Sequence, residues 1–414
     1  MTPFLPLVVL LAAPPLPDVV TQATTEASVM SVGGDTPSTA VDLAVNPQVK
    51  GVLRDGPSSS IEGGYVGSYR LRQSGFTVLP YALHRVEGNF AQGREIGGVR
   101  LTGLASLVVG ESTFDSVQND LDQPFGLAAT TTIVPVASFD VAANASHRPT
   151  PLVVVSSGAR ARAYATPPVD ENGVPQGAEP LGGLSAPALL VRGNLVPQLR
   201  AGADVQSALT LTRRDVVALR LDVDAVTLLD RFGYVALAGA LAWQHRLSRR
   251  LDVRVQGGAF SAWAPSAEQS LGLLPAGELT LTTTPVPIRG LRPSFRARAA
   301  FEPFYDPFLL VLTERGVVDG NVTVPVSRAV SMSLAMSTAV RLIEFAPKGL
   351  GGRGDDVYLS AAGTFRYQPN RFVAVDSGLS SSVRARAART DRGNLTTPSV
   401  GAFVNVTGIY GFAF

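Results

Sequence analysis

The chain has 414 residues but no cysteine, only two tryptophans and only three histidines. Without cysteine there is no disulfide framework, no thiolate metal site and no Cys-anchored lipoprotein. Charged residues make up 16% of the chain, where a soluble domain carries about 25%. Hydrophobic residues make up 45%, yet beyond the N-terminus no uninterrupted apolar run is long enough for a membrane-spanning helix, which needs about 20 residues. The net charge of +2 gives no whole-molecule field directed at nucleic acid. Reactive constellations are also missing. His84, His147 and His245 share no metal-ligand spacing, and no HExxH, Walker or GxSxG pattern occurs. A Ser106/His84/acid grouping can be written down, but a strand-end histidine at a membrane interface is the simpler reading of LPYALHRVEGNF. No catalytic residue, cofactor or metal is assigned, and the chain is expected not to be an enzyme.

The residues that are present alternate. Val41, Leu43, Val45, Val49 and Leu53 oppose Asp42, Asn46, Gln48, Lys50 and Arg54; after the turn at Asp55–Ser58, Ile61, Tyr65, Tyr69 and Leu71 oppose Glu62, Ser68, Arg70 and Arg72. The same rhythm recurs at 99–109, 219–225, 251–256, 294–302, 331–341, 359–367 and 382–387. Period-two alternation marks strands with two different environments. Glycine is abundant, at 41 residues, which suits tight sheet curvature and opposes helix. Short turns at Thr212–Asp215, Leu247–Arg250, Val326–Ala329 and Gln368–Arg371 interleave with longer ones at Ser261–Ala276, Phe345–Asp356 and Ala388–Pro398. Alternating short and long connections belong to transmembrane β-barrels.

The expected fold is therefore all-β: one antiparallel transmembrane β-barrel of 16–18 strands, with both termini on the periplasmic side. Residues 1–23 read as a signal peptide built on the apolar core FLPLVVLLAA, with cleavage near Ala13 or Ala23. Residues 24–39 read as a flexible periplasmic lead-in, and 40–414 as the barrel. Within it, 114–197 is expected to be irregular, with two strand candidates at Thr131–Phe139 and Leu152–Ala165 and a loop that folds over or into the pore. The final stretch VGAFVNVTGIYGFAF resembles the terminal strand of bacterial outer-membrane barrels, and that resemblance implies that Tyr410, Phe412 and Phe414 are read by the barrel-insertion machinery.

The arginines fall on the polar faces: Arg70, Arg72 and Arg100 in the first third; Arg220, Arg254, Arg292, Arg296 and Arg298 in the middle; Arg341, Arg366, Arg384 and Arg386 towards the end. On the lipid face an arginine at mid-depth costs about 2–4 kcal/mol, so these are expected to line the lumen. Fewer acids share those faces (Asp42, Glu62, Asp222, Asp224, Asp252, Glu302). Two readings stay open: a lumen biased towards anionic or polyhydroxylated cargo, or an interior salt-bridge lattice that braces the wall. The close pairs Arg296/Arg298 and Arg384/Arg386 tilt towards the first.

SIEGGYVGSYRLR, RLSRRLDVRVQGGAF, FEPFYDPF and VSRAVSMSLAMSTA resemble the Wzp-type outer-membrane barrels of polysaccharide-export systems. The resemblance implies export of a surface exopolysaccharide with a periplasmic Wza-like exporter as partner. The expected partners are thus outer-membrane lipid, the insertion machinery, that exporter and its polysaccharide cargo, with no nucleic acid. Other readings are a general diffusion porin, an outer-membrane hydrolase and a plugged structural or adhesive barrel.

Overall fold

The computed structural model describes residues 18–32, 38–54, 58–74, 77–113, 131–166, 179–180, 190–192, 195–228, 231–265, 268–283, 285, 291–307, 311–345, 357–386 and 395–412. Their strands are, in order, β1 (Asp18–Val32), β2 (Ser38–Arg54), β3 (Ser59–Ser74), β4 (Thr77–Ile96), β5 (Val99–Thr113), β6 (Thr131–Thr150), β7 (Val153–Thr166), β8 (Glu179–Pro180), β9 (Leu190–Arg192), β10 (Val196–Thr210), β11 (Asp215–Leu228), β12 (Arg231–Ser248), β13 (Leu251–Ala264), β14 (Gln269–Thr283), β15 (Ser294–Asp306), β16 (Val311–Pro325), β17 (Val330–Phe345), β18 (Val357–Tyr367), β19 (Val373–Arg386) and β20 (Leu395–Phe412).

Each long strand pairs antiparallel with its neighbours in sequence, β7 pairs with β10, and β1 pairs with both β2 and β20. The result is a closed barrel of eighteen strands, at the upper bound of the expected count. The short β9 runs parallel to Thr131–Ile133 of β6, with β8 against it, outside the ring. Closure leaves a ring with no free end, which is what a sheet in hydrocarbon requires.

The wall has two unlike faces. Leu219, Leu221, Leu237 and Leu241 are all more than half exposed, and the register sets Leu219 beside Leu241, Val223 beside Leu237 and Val205 beside Leu221. A contiguous apolar surface of this kind faces lipid, not water. Trp243 and Trp263 bound it on neighbouring strands. Trp243 lies opposite Val255, so the two rings are eight residues apart along the wall. That is about 27 Å along a strand, which tilt reduces to below the ~25 Å of a barrel's apolar band. Near the rim with short turns, Trp243 Nε1 donates to Asp215 Oδ1 at 3.2 Å and stacks on His245, which itself meets Asp215 at 2.7 Å. Amphipathic rings with a polar anchor are the usual occupants of a membrane–water interface.

The rims also differ. Both described chain ends, Asp18 and Phe412, lie at one rim, and Val19 pairs with Phe412. The turns at this rim have two to five residues, except the ten-residue connection 284–293 between β14 and β15. Gly97 and Gly98 have φ of 59° and 76°, the left-handed pair that a two-residue hairpin demands. The connection at 368–372 is held by the Asn370 side chain, which accepts from the N–H groups of Phe372 and Val373 at 2.8 and 2.9 Å. The opposite rim carries the long connections, including residues 114–130 and 346–356. By the rule that short turns face the periplasm, the termini are periplasmic.

Three expectations are corrected. Residues 18–23, read as the end of the signal peptide, belong to β1, and so do 24–32, read as part of the flexible lead-in; together they close the ring. Along 24–32 the outward positions are Thr25, Ala27, Val29 and Ser31, of which only Val29 is strongly apolar, so hydropathy contrast is faint there. Ser261–Ala276 is not a long loop: β13 runs to Ala264 and β14 starts at Gln269, with Glu268 turning the chain at φ 51°. The two strand candidates within 114–197 are present as β6 and β7. The signal core lies outside the described residues, as does Phe414.

Leu221→Arg places a guanidinium on the lipid face, with an expected loss of about 2–4 kcal/mol if it sits at the bilayer midplane. Urea unfolding of the barrel in phospholipid vesicles measures it, with Asp222→Asn as a lumen-facing control of small effect.

Candidate functional site

The interior is divided by one hairpin. The β14–β15 ladder runs from Thr282↔Arg296 to Gly277↔Phe301 and stops. Continued in register, it would next set Ala276 opposite Glu302 and then Pro275 opposite Pro303. Proline lacks the amide hydrogen that a ladder needs and is confined to strand edges. Beyond this point the described parts of the β15–β16 tip, Glu302–Pro307 and Val311–Glu314, leave β14 and reach across the lumen, still paired with β17 through Leu312↔Phe345.

The tip docks on strands six and five places from β15 around the ring, β7 and β10. Tyr305 Oη donates to Gln198 Oε1 at 2.7 Å, Gln198 Nε2 donates to the Pro307 carbonyl at 2.7 Å and to Thr166 Oγ1 at 3.0 Å, and Thr166 Oγ1 donates to the Pro307 carbonyl at 3.3 Å. The Tyr305 and Tyr234 rings lie 5.5 Å apart. Around this latch Tyr164, Val226, Tyr234, Ala262, Ala264, Tyr305, Leu312 and Phe345 form a buried apolar cluster. A barrel interior is ordinarily polar, so this is a departure produced by the tip itself: Tyr305 and Leu312 of the tip are buried within the lumen.

Below the tip, charge is tightly paired. Arg298 reaches Glu278 at 3.0 Å, Asp319 at 3.5 Å and also Glu302, while Arg315 reaches Glu302 at 2.7 Å and lies 3.8 Å over the Phe304 ring. Arg200 holds Asp224 through two nitrogens, at 2.7 and 2.9 Å, and Arg162 pairs with Asp140. These groups surround a cavity of about 690 Å³ bounded by β3–β7 and β10 on one side and by Phe304, Tyr305, Pro307 and Arg315 on the other. Arg160, Arg162, Arg200 and Arg315 line it together with Glu62 and Asp140, whereas Asp224 and Glu302, the partners of Arg200 and Arg315, are not part of the lining. Guanidinium groups thus face the void while two of their counter-charges stand behind them. Arg160 makes no ion pair among the described residues. Smaller cavities continue the track: about 290 Å³ towards the long-loop rim, bounded by Arg85 and Glu87, and about 130 Å³ towards the short-turn rim, bounded by Arg100 and Asp204.

The arginines singled out from sequence are placed as follows. Arg70 lies 4.0 Å from Glu26, Arg72 is buried 3.7 Å from Asp42, Arg220 binds Asp222 at 2.7 Å, and Arg366 lies 3.7 Å from Asp376. Arg254 donates to Gln256 at 3.0 Å. Arg100 and Arg296 are exposed, without an ion pair among the described residues, and Arg341 stands opposite Arg315. Arg292 lies exposed between β14 and β15. Arg384 and Arg386 lie on β19 and Tyr410 and Phe412 on β20, with their side chains outside the described residues. The lattice reading accounts for the paired arginines, and the cargo reading is left with Arg100 and Arg296. His84 faces outward, where its Nδ1 meets Tyr65 Oη at 2.6 Å and its ring abuts Tyr69, whereas Ser106 lines the interior cavity. The wall stands between them, so they form no triad.

No family model matches the chain, and no curated protein matches it. Among solved structures it is similar to Pseudomonas aeruginosa OpdQ (8% identity, TM-score 0.43, covering 95% of this chain and 99% of that one). It is likewise similar to the P. aeruginosa outer membrane protein opdK (11%, 0.43, 95% and 99%) and to P. aeruginosa OccK7 (OpdD) (8%, 0.43, 95% and 100%). The Wzp-type resemblance finds no counterpart in these comparisons. The even-stranded closed wall, its apolar outer band and its unequal rims make this an outer-membrane barrel of a Gram-negative bacterium. The polysaccharide conduit and its periplasmic exporter find no support: a tip that crosses the lumen suits small solutes better than a polymer.

Sequence reasoning missed Arg160, Arg162, Arg200 and Arg315. The first two were legible, because ARARAYA repeats the Arg-x-Arg rhythm seen at 296–298. The latch was not, since Gln198 and Tyr305 meet only when the register of six strands is known.

Gln198→Leu strands the Tyr305 hydroxyl in a buried site and leaves the Pro307 carbonyl only the 3.3 Å bond from Thr166. The expected loss of stability is about 1–3 kcal/mol, read as a lower urea midpoint in vesicles.

Proposed function

We propose that this protein is a non-enzymatic outer-membrane channel for small hydrophilic solutes, with a mild preference for anions. What supports the reading is the interior cavity where Arg160, Arg162, Arg200 and Arg315 meet the void and the carboxylates of Asp224 and Glu302 are recessed. Charged side chains at a narrow point set pore selectivity. The paired lattice keeps the guanidinium groups in place, so a passing anion exchanges weak contacts without reorganising the wall. Weak, replaceable contacts are what transit demands, because tight binding stalls conduction.

Arg160→Glu tests this, since Arg160 carries charge into the cavity without belonging to the lattice. Each unit of charge is worth on the order of 1 kcal/mol at 4 Å in a wet pore. The reversal potential of the reconstituted channel in a KCl gradient is expected to move from the anion side to the cation side, and Glu62→Gln to move it the other way. Selectivity unchanged in both variants would remove the proposed role.

Residues 1–17 serve as the export signal in this reading, and Tyr410, Phe412 and Phe414 serve as the mark recognised by the insertion machinery. Cleavage near Ala23 would cut β1, whose pairing with β20 extends to Val19↔Phe412. The mature protein is therefore expected to begin between residues 14 and 18, which N-terminal sequencing of membrane-purified material checks.

A further inference from the structure

Four connections at the short-turn rim are built alike. LTRR (211–214), LSRR (247–250), VSRA (326–329) and NRF (370–372) each hold a small polar residue followed by arginine. In each, the polar side chain accepts from the N–H two residues on: Thr212 from Arg214 at 3.0 Å, Ser248 from Arg250 at 3.1 Å, Ser327 from Ala329 at 3.2 Å and Asn370 from Phe372 at 2.8 Å. Such local turns put the residue between at the tip, and here it is Arg213, Arg249, Arg328 or Arg371. Arg214 and Arg250 double the charge of the first two turns. All six arginines are exposed, and none makes an ion pair among the described residues. The acids beside them are engaged: Asp215 by Trp243, His245 and Thr212, and Asp252 by Arg246. The third and fourth turns contain no acid, and the described turns Gly97–Gly98 and Pro151–Leu152, in the other sector of this rim, carry no charge.

A one-sided row of unpaired cations calls for an anionic surface, and the neighbouring side chains say which. Leu211, Leu247, Val326 and Phe372 each lie within two residues of a tip arginine and are exposed, and the Arg371 guanidinium lies 4.7 Å over the Phe372 ring. Trp243, on β12 between the first two turns, marks the edge of the hydrocarbon at this rim. The Arg214 carbonyl accepts from the Arg246 N–H at 2.8 Å, which ties the first turn to β12. The first two turns stand two strand spacings apart, about 10 Å, so their four guanidinium groups flank Trp243. Exposed apolar residues with guanidinium groups just beyond them match a bilayer interface, where apolar groups enter hydrocarbon and charge stays among phosphates. An acidic protein in the periplasm has no use for the apolar residues. We propose that this sector of the rim binds anionic phospholipid of the periplasmic leaflet, with the arginines holding headgroup phosphates through charge-assisted hydrogen bonds. This rests on the barrel's insertion in the membrane with its short turns periplasmic, and not on its ion preference.

Trp243 and Trp263 are the only tryptophans of the chain, so Trp263→Phe leaves a reporter between the first two turns and Trp243→Phe leaves one towards the opposite rim. The full chain is reconstituted in vesicles of phosphatidylcholine and phosphatidylglycerol, with one or the other lipid brominated in its acyl chains. Quenching of the remaining tryptophan gives the relative affinity of the two lipids at its position. At Trp243 phosphatidylglycerol is expected to be preferred by about fivefold or more, the factor that one arginine near an anionic surface contributes. Arg213→Gln/Arg214→Gln/Arg249→Gln/Arg250→Gln keeps Thr212 and Ser248 and is expected to abolish the preference. High salt is expected to do the same to the chain with its arginines intact, a test that needs no change in the turns. At Trp263 no preference is expected. Equal affinities at Trp243 in the chain with its arginines overturn the proposal and leave the row to an acidic protein surface. A preference that survives the glutamine variant or high salt overturns it too, as does one of the same size at Trp263. A channel that shows no anion preference leaves this quenching pattern untouched, so the two readings fail separately.

Discussion

The constraint on which everything else depends is the backbone. Inside hydrocarbon no water is present to satisfy an amide or a carbonyl, so every strand must find a partner on each side. Eighteen strands closed into a ring meet that demand almost everywhere, and the closure in turn dictates the two-faced sequence. Once the wall is continuous, one face of each strand sees lipid and the other sees the lumen, and a one-residue slip would exchange them. The rows of exposed leucines and valines, which would be a liability in a soluble protein, are the consequence.

The lumen has a different problem. It must stay wet and yet hold a wall of this circumference in shape. Ion pairs between neighbouring strands do the bracing: Arg298 ties β14, β15 and β16 together through Glu278, Glu302 and Asp319, and Arg200 ties β10 to β11 through Asp224. Such half-buried pairs are individually modest in energy, but each one fixes a guanidinium at the edge of the void. Bracing and selectivity are therefore not competing explanations of the same arginines. The carboxylate behind sets the position, and the guanidinium in front meets the solute.

Much of this was legible before any coordinate. Alternation at Leu219–Ala225 or Phe295–Phe301 carries fold class and facing together, because the lipid face is read directly as side-chain type. The count of strands, the even number and the side of the short turns followed. β1 escaped because Thr25, Ala27 and Ser31 share its outer face with a single strongly apolar residue, Val29, so the wall there has little hydropathy contrast. The interior hairpin escaped for a different reason. That Pro275 and Pro303 would fall opposite each other depends on a register set by chain segments far apart, and no local pattern announces it. Long-range geometry of this kind also decided the fate of His84 and Ser106, which sequence could place on neighbouring strands but not on opposite sides of the wall.

The pairing of β1 with β20 has a consequence for assembly. The first and last strands of the described chain are neighbours, so the cylinder is sealed only by segments at opposite ends of the polypeptide. Until the final strand has been delivered, the growing sheet keeps two raw edges, each a template for any other extended chain. Nothing partial is safe: a fragment lacking either end is an open sheet in search of a partner. The whole molecule must therefore be shepherded unfolded to its destination before the circle can be completed.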